Sequence, residues 1–266
     1  MKYRTFPKTG EAISQLGFGT MRMPTHADGT LDHPESIRMI RAAIDQGVNY
    51  VDTAYMYHDG ESEIAVGKAL KDGYREKVFL ADKMPIWFAN NQEEMKAIFE
   101  EQFQRLDVDV IDFYLVHNIT VPIWKRAKKY GLMEFLEEEK NNGRIQHIGF
   151  SFHDEVEFFE EVLKEYPWDF CQIQLNYMDR DFQAGVKGLK MAAEMGIPVI
   201  IMEPLKGGKL TERLPDSVKA LWNQAEVKRT PAEWALRWVA DFPEVLTILS
   251  GVHNMEQLEE NMRILS

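Results

Sequence analysis

The stretch VNYVDTAYMYHDGESEIAVGKAL, residues 48–70, begins as an apolar strand and ends as a helix. At the junction stand Asp52, Tyr55 and Tyr57. A carboxylate and two phenols at a strand tip are either solvated surface or the rim of a catalytic site, and the rest of the chain decides between them. Seven further apolar runs resemble its first half: residues 15–20, 77–83, 111–117, 145–151, 169–176, 198–204 and 245–251. Amphipathic segments separate them. One is PESIRMIRAAIDQG, with Pro34 early and Gly47 just past the end, where helix boundaries favour these residues. Strands alternating with helices imply a parallel sheet, because parallel neighbours need a crossover.

Spacing sharpens this. Asp52 and Lys83 are 31 residues apart, and 34 residues separate Lys83 from His117 and His117 from Ser151. Each stands at the C-terminal end of an expected strand. Eight β/α units of roughly 31 residues would use roughly 248 positions, nearly all of a 266-residue chain. The expected fold is therefore α/β, a (β/α)8 TIM barrel forming a single domain over residues 1–266, with chemistry at the C-terminal strand ends. A doubly wound open sheet is the alternative. It would announce a G-x-G-x-x-G turn after its first strand. LGFGTMRMP at 16–24 lacks the third glycine and opens no helix. The N-terminal YRTFPKTGEAISQL reads as a β-hairpin turning at Lys8-Thr9-Gly10, a lid on the barrel floor.

Composition narrows the function. Apolar residues are 45% of the chain, enough for a large core, and the net charge is -12 with a pI near 5.1. Such a surface repels phosphate backbones, which argues against nucleic acid. No apolar run has the ~18–20 residues of a membrane span, and MKYRTFPKTG has no signal-peptide core. A lone cysteine, Cys171, excludes an intrachain disulfide and suits the cytoplasm.

Asp52, Tyr57, Lys83 and His117 on one rim suggest a reaction. A phenol with a pKa near 10 is a weak acid, and a neighbouring ammonium is expected to lower that value. Asp52 would hold Lys83, and His117 would donate to a substrate oxygen or share a proton. The set suits protonating a carbonyl oxygen as hydride reaches its carbon. It offers neither a covalent nucleophile nor a metal. Singly, each residue is ordinary at a strand end; the bland reading weakens when four share one level.

VDTAYMYHDGESEIAVGKAL resembles the signature of the aldo-keto reductases, Asp-Thr-Ala with a tyrosine five residues after the aspartate. DFYLVH, IGFS, QIQLNY and LSGVHNMEQLEEN resemble later landmarks of that family, in order. The resemblance implies reduction of aldehydes or ketones with NADPH or NADH. It places Asp52, Tyr57, Lys83 and His117 on the catalytic tetrad, with Tyr57 as general acid. It also implies that Ser151 and Gln172 meet the nicotinamide carboxamide, with Phe152 where relatives carry Asn and Met202 where many stack an aromatic. EPLKGGKL at 203–210 matches the phosphate loop, so Glu203, Leu205, Lys206, Gly207 and Gly208 are expected at the pyrophosphate, with Lys206 or Lys209 adding charge. Asn254, Gln257, Glu260 and Asn261 match adenosine-side positions. Gln257 stands where NADPH-preferring relatives often have Arg. With Glu256 and Glu259 nearby, weak discrimination or an NADH preference is expected.

IGFSFHD, DFCQIQLNYMD and MEPLKGGKL resemble a bacterial and archaeal branch that often continues into a cysteine-rich [4Fe-4S] segment. The sequence ends at NMRILS without those cysteines, and one cysteine does not ligate a cluster that needs roughly four. An open pocket with broad substrate choice is the expectation, and no metal is expected. His26, Asp28 and His33 have no ligand spacing. Trp87, Phe88, Trp124, Met21 and Met23 follow strands and are candidates to wall a pocket, whereas Trp234 and Trp238 read as the core face of a helix. Asp82 should point away from the barrel interior, with no role assigned. The expected partner is a small carbonyl compound. A cofactor-binding sensor or regulatory subunit is the competing reading. A sugar-phosphate isomerase is the third, and the Tyr–Lys pair argues against it.

Overall fold

The computed structural model describes residues 1–212 and 214–266. All eight apolar runs form strands. After a hairpin of β1 (Tyr3–Thr5) and β2 (Ala12–Ser14) come β3 (Leu16–Gly19), β4 (Tyr50–Asp52), β5 (Phe79–Met84), β6 (Ile111–Ile119), β7 (Ile145–Phe152), β8 (Phe170–Gln174), β9 (Val199–Met202) and β10 (Val245–Gly251). The last eight are parallel to their neighbours and close in the order β10-β3-β4-β5-β6-β7-β8-β9. The seam pairs Leu16 with Ile248 and Gly19 with Gly251. This is the (β/α)8 barrel expected from the spacing.

Helices return the chain between strands. α1 (His33–Asp45) follows β3, α2 (Glu61–Ala69) follows β4, and α3 (Gln92–Leu106) follows β5. α4 (Val121–Lys129) and α5 (Leu132–Asn141) follow β6, and α6 (Val156–Glu165) follows β7. α7 (Gly185–Glu194) follows β8, α8 (Lys209–Glu212), α9 (Asp216–Trp222) and α10 (Pro231–Ala240) follow β9, and α11 (Met255–Ile264) follows β10. Asp32 caps α1 by accepting the Glu35 N–H, and Pro34 occupies its first turn. No helix among the described residues is long and apolar enough to cross a membrane.

The strands are buried on both faces, which is why they read as near-continuous apolar runs rather than alternating ones. One apolar layer lies between strands and helices. A second fills the barrel, where Tyr50, Phe113, Phe170 and Ile200 meet. The hairpin completes this inner layer from below. Phe6, fully buried, meets the edge of Phe113 at 5.3 Å and His147 at 4.8 Å. The floor is thereby shut.

Two local features differ from a plain reading. β6 runs to Ile119 and shifts register between Val116 and Ile119, with Asn118 at φ 59°. This bulge re-aims the end of the strand, and His117 lies in it. On α10 the buried residues are Ala232, Ala235, Leu236 and Val239. The expectation that Trp234 and Trp238 form the core face is therefore corrected. They are half-buried on the flank, where Trp234 stacks on Trp222 and Trp238 meets Phe242 edge to face. Two aromatics four apart mark one helix face, but small residues suit the face pressed on the sheet.

The seating of α2 rests on a missing side chain. A Cβ on Gly67 would lie 2.4 Å from the Leu106 carbonyl oxygen and 2.8 Å from that of Arg105. Backbone cannot yield as a flexible side chain does. Gly67→Ala is expected to cost about 1–3 kcal/mol, seen as a lower urea midpoint; an unchanged midpoint would contradict this packing.

Candidate active site

The closing of the sheet brings three strand ends together. Asp52 ends β4, Lys83 stands near the end of β5, and His117 lies in the β6 bulge. Tyr57 comes from the segment after β4. Lys83, fully buried, donates from Nζ to Asp52 Oδ1 at 2.7 Å and to the Thr53 carbonyl at 2.6 Å. An ammonium has three donors, and the third faces Tyr57: Nζ lies 5.0 Å from the ring centroid and interacts with the phenol. The His117 ring is 6.2 Å from that of Tyr57 and 5.1 Å from that of Trp87.

Asp52, Tyr57 and His117 line one cavity of about 770 Å³. Three polar atoms among its lining residues are buried without a partner: Asp52 Oδ2, His117 Nδ1 and Gln172 Oε1. Buried polar groups are nearly always hydrogen-bonded, so three orphans on residues around one cavity set this region apart from the rest of the barrel core.

Burial sets the protonation states. It pushes the Tyr57 phenol above its ordinary range, and Lys83 offsets only part of this. The expected lowering of this pKa is thus corrected: desolvation outweighs the ammonium, so the phenol keeps its proton. For Lys83, burial opposes the charge, but Asp52 and Tyr57 outweigh it and hold the ammonium above its usual pKa. His117 is driven well below the usual histidine range by burial, with Lys83 adding to the effect. Its imidazole is neutral, and of the two roles considered for it, donating a hydrogen bond is the one its charge state favours.

The turn carrying Tyr57 is unusual. His58, Asp59 and Gly60 all have positive φ, at 51°, 55° and 91°. Left-handed backbone is costly for non-glycine residues, and neighbours hold it. Arg105 Nη1 donates to the Tyr55 carbonyl at 3.2 Å, and its guanidinium packs where a Gly60 Cβ would stand. A His58 ring nitrogen contacts the Thr20 carbonyl at 3.2 Å.

The other expected site residues fall into three groups. Ser151, Gln172, Met202 and Glu203 line the same cavity. Ser151 Oγ accepts the Asn118 N–H at 2.7 Å, and Gln172 Nε2 reaches Met202 Sδ at 3.6 Å. Leu205, Gly207, Gly208, Gln257, Glu260 and Asn261 line an adjoining groove of about 340 Å³, and Glu203 lines both. Gly207 and Gly208 adopt φ 62° and 85°. Lys206 and Asn254 line neither space. Lys206 is tied to Asp179, and Asn254 caps α11 by accepting the Gln257 N–H at 2.9 Å. Glu256 and Glu259 also lie outside the groove, whose acids are Glu203, Glu212 and Glu260.

Arg22 was missed in the sequence. It lines both spaces and pairs with Glu203 at 3.2 Å, with Gly207 and Gly251 against its side chain. The strand-end rule that singled out Asp52 would have found it, three residues past β3. His153 was missed too. Phe152, at the position expected to carry Asn, is buried against Phe158 and Phe159, and His153 faces the cavity instead. Of the candidate wall residues, Met21 and Trp87 line the cavity. Met23 and Trp124 are buried elsewhere, and Phe88 is exposed. His33 pairs with Glu61 at 2.7 Å.

A model of the aldo/keto reductase family matches residues 15–266. Aldo-keto reductase YhdN of Bacillus subtilis is 34% identical over 226 residues, covering 81% of this chain and 66% of that protein, just under two thirds. The NADH-specific methylglyoxal reductase of Escherichia coli is 27% identical over 310 residues, covering 100% and 94%. Among solved structures, the holo form of aldo-keto reductase AKR11C1 from Bacillus halodurans superposes with a TM-score of 0.82 at 27% identity, covering 100% of this chain and 91% of that one. An aldo-keto reductase from Klebsiella pneumoniae in complex with NADPH gives 0.79 at 25% identity, covering 100% and 90%.

Proposed function

Because the chain belongs to the aldo/keto reductase family, we propose that it reduces the carbonyl group of a small aldehyde or ketone with NADH or NADPH, using Tyr57 as the acid. The observation that carries this reading is the buried Asp52–Lys83 pair set beneath a protonated Tyr57 and a neutral His117 at one cavity.

The residues fit a dinucleotide. The cavity and the groove adjoin through Arg22, Glu203, Leu249 and Gly251, which line both. Ser151 and the unpaired Oε1 of Gln172 suit a carboxamide. The two positive-φ glycines keep Cβ atoms off this loop so that a pyrophosphate can approach the backbone closely, although the Gly208 N–H itself is donated to the Leu205 carbonyl. When bound, the nicotinamide supplies hydride. The chain does the rest. His117 donates to the carbonyl oxygen and orients it. Tyr57 gives that oxygen its proton as negative charge develops there. The Lys83 ammonium stabilises the phenolate left behind, and Asp52 fixes the ammonium. The phenolate then regains a proton from water. Met21, Trp87 and Ile123 give the cavity an apolar wall that excludes solvent and accepts the substrate body.

For the cofactor, the groove sets Glu260 and Glu212 near Gln257, and among the described residues that line it the guanidinium, Arg22, is paired with Glu203. Among these described residues a 2′-phosphate would face the acids Glu260 and Glu212, which favours NADH or weak discrimination. Titration of the protein with each nucleotide, followed by tryptophan quenching, is expected to give NADH binding at least as tight as NADPH. NADPH binding tenfold tighter would refute the preference. Turnover of a reactive aldehyde by the saturated protein tests the reaction itself; binding without turnover would favour a sensor over an enzyme.

A further inference from the structure

Asp82 stands one residue before Lys83 and faces away from the barrel interior, into the layer under α2 and α3. It is fully buried. Its Oδ1 accepts the Lys83 N–H and its Oδ2 accepts Gln102 Nε2–H, each at 2.8 Å. The same Gln102 nitrogen reaches the Lys83 carbonyl at 3.0 Å, and Tyr114 donates to Gln102 Oε1. Opposite lies Glu63 of α2, also fully buried. Glu63 Oε2 accepts from Arg105 Nη1 at 2.9 Å, but its Oε1 has no donor. Besides Arg105, the groups that act on Glu63 across this layer are the Asp82 carboxyl and the Gln102 amide.

Two ionised carboxylates do not share a dry site without matching cations. The nearby cations are already engaged. Arg105 also pairs with Glu101 at 2.5 Å, and Lys83 is held by Asp52. From β6 the site is faced by Tyr114, with Glu139 and Arg144 beyond it, and from above by Tyr57. None of these supplies a free positive charge.

We propose that Asp82 and Glu63 hold one proton between them, and that this bond makes Asp82 a positioning residue that sets Tyr57 against Lys83. The tie joins two segments. One end is the strand residue bonded to the Lys83 N–H. The other is the helix that follows the Tyr57 turn, and the Arg105 that Glu63 holds is the same Arg105 that braces this turn. Burial, reinforced by Glu63, raises Asp82 well above the carboxylate range, in keeping with a retained proton. The positioning half of this inference rests on the function proposed above; the shared proton does not.

The test is urea unfolding of the full chain, without substrate or cofactor, across neutral pH. An acid whose folded pKa is raised keeps a proton that the unfolded chain releases. Its stabilising effect is complete below the unfolded pKa and is lost as pH rises toward the folded one. Asp82→Asn still donates to Glu63 but binds no such proton. The folding equilibrium constant of wild type relative to Asp82→Asn is expected to fall about tenfold per pH unit across this window, and Glu63→Gln should show the same contrast. Parallel pH curves for wild type and variants would overturn the shared proton. Should the variants fail to fold, the infrared spectrum of the wild type decides: a protonated-carboxyl stretch at neutral pH supports the pair, and its absence overturns it. For positioning, Asp82→Ala is expected to lower kcat at least tenfold with cofactor affinity unchanged, and Asp82→Asn to recover most of that loss. Unchanged kcat in Asp82→Ala would overturn that role.

Discussion

Replacing Tyr57 with Phe is expected to leave nucleotide binding intact and lower kcat by about 10²–10⁴, the usual worth of a positioned acid. The ring remains, so its contact with His117 and its place over Lys83 remain. Only the hydroxyl goes, and with it the proton that the carbonyl oxygen must receive. Folding stability should hardly change, since the ring packing that the variant keeps is what seats this side chain. The measurement is a steady-state assay beside a fluorescence titration on one sample. A variant with near-normal kcat would assign the acid to another group, and a loss of nucleotide binding would mean that Tyr57 does more than give a proton.

Replacing Lys83 with Met should cost both activity and stability. The phenolate left after transfer loses the ammonium beside it, so kcat is expected to fall by at least about a hundredfold. At the same time Asp52, 3% exposed at its side chain, loses the charge it is bonded to. Breaking a buried pair on one side costs about 3–5 kcal/mol. That penalty has a pH signature. The stranded carboxyl has a raised folded pKa, so it escapes its burial cost by taking up a proton in acid. The urea midpoint of Lys83→Met should approach that of wild type as pH falls and diverge as pH rises. A variant as stable as wild type at neutral pH would mean that the pair carries little of the barrel's stability. A large but pH-independent loss would place the damage elsewhere than Asp52.

The barrel was legible because parallel strands buried on both faces cannot hide their apolar runs, and because the near-regular spacing of Asp52, Lys83, His117 and Ser151 has few other causes. What the sequence left open depends on who meets whom across helices. Asp82 reads as an outward residue on a strand, but nothing local says that Glu63 and Gln102 close over it. Lys206 reads as a free cation of the phosphate loop, and nothing local says that Asp179, 27 residues earlier, pairs with it. The state of Tyr57 was misjudged for a related reason. A neighbouring lysine is visible in a motif, whereas the depth of burial is a property of the whole fold. Arg22 and His153 each lie just past a strand end, within reach of the same logic that singles out Asp52.

The seam between β3 and β10 has a consequence for how the molecule is made. The first barrel strand finds its second neighbour only in the last one, more than two hundred residues later, and the two chain ends meet when the Lys2 N–H bonds to the Leu265 carbonyl. A growing chain therefore leaves the ribosome with an open sheet. The free edges of β3 and β9 present unpaired N–H and C=O groups until Val245–Gly251 emerges. Any chain released before that point carries two sticky edges, and aggregation or chaperone capture is the fate its backbone dictates.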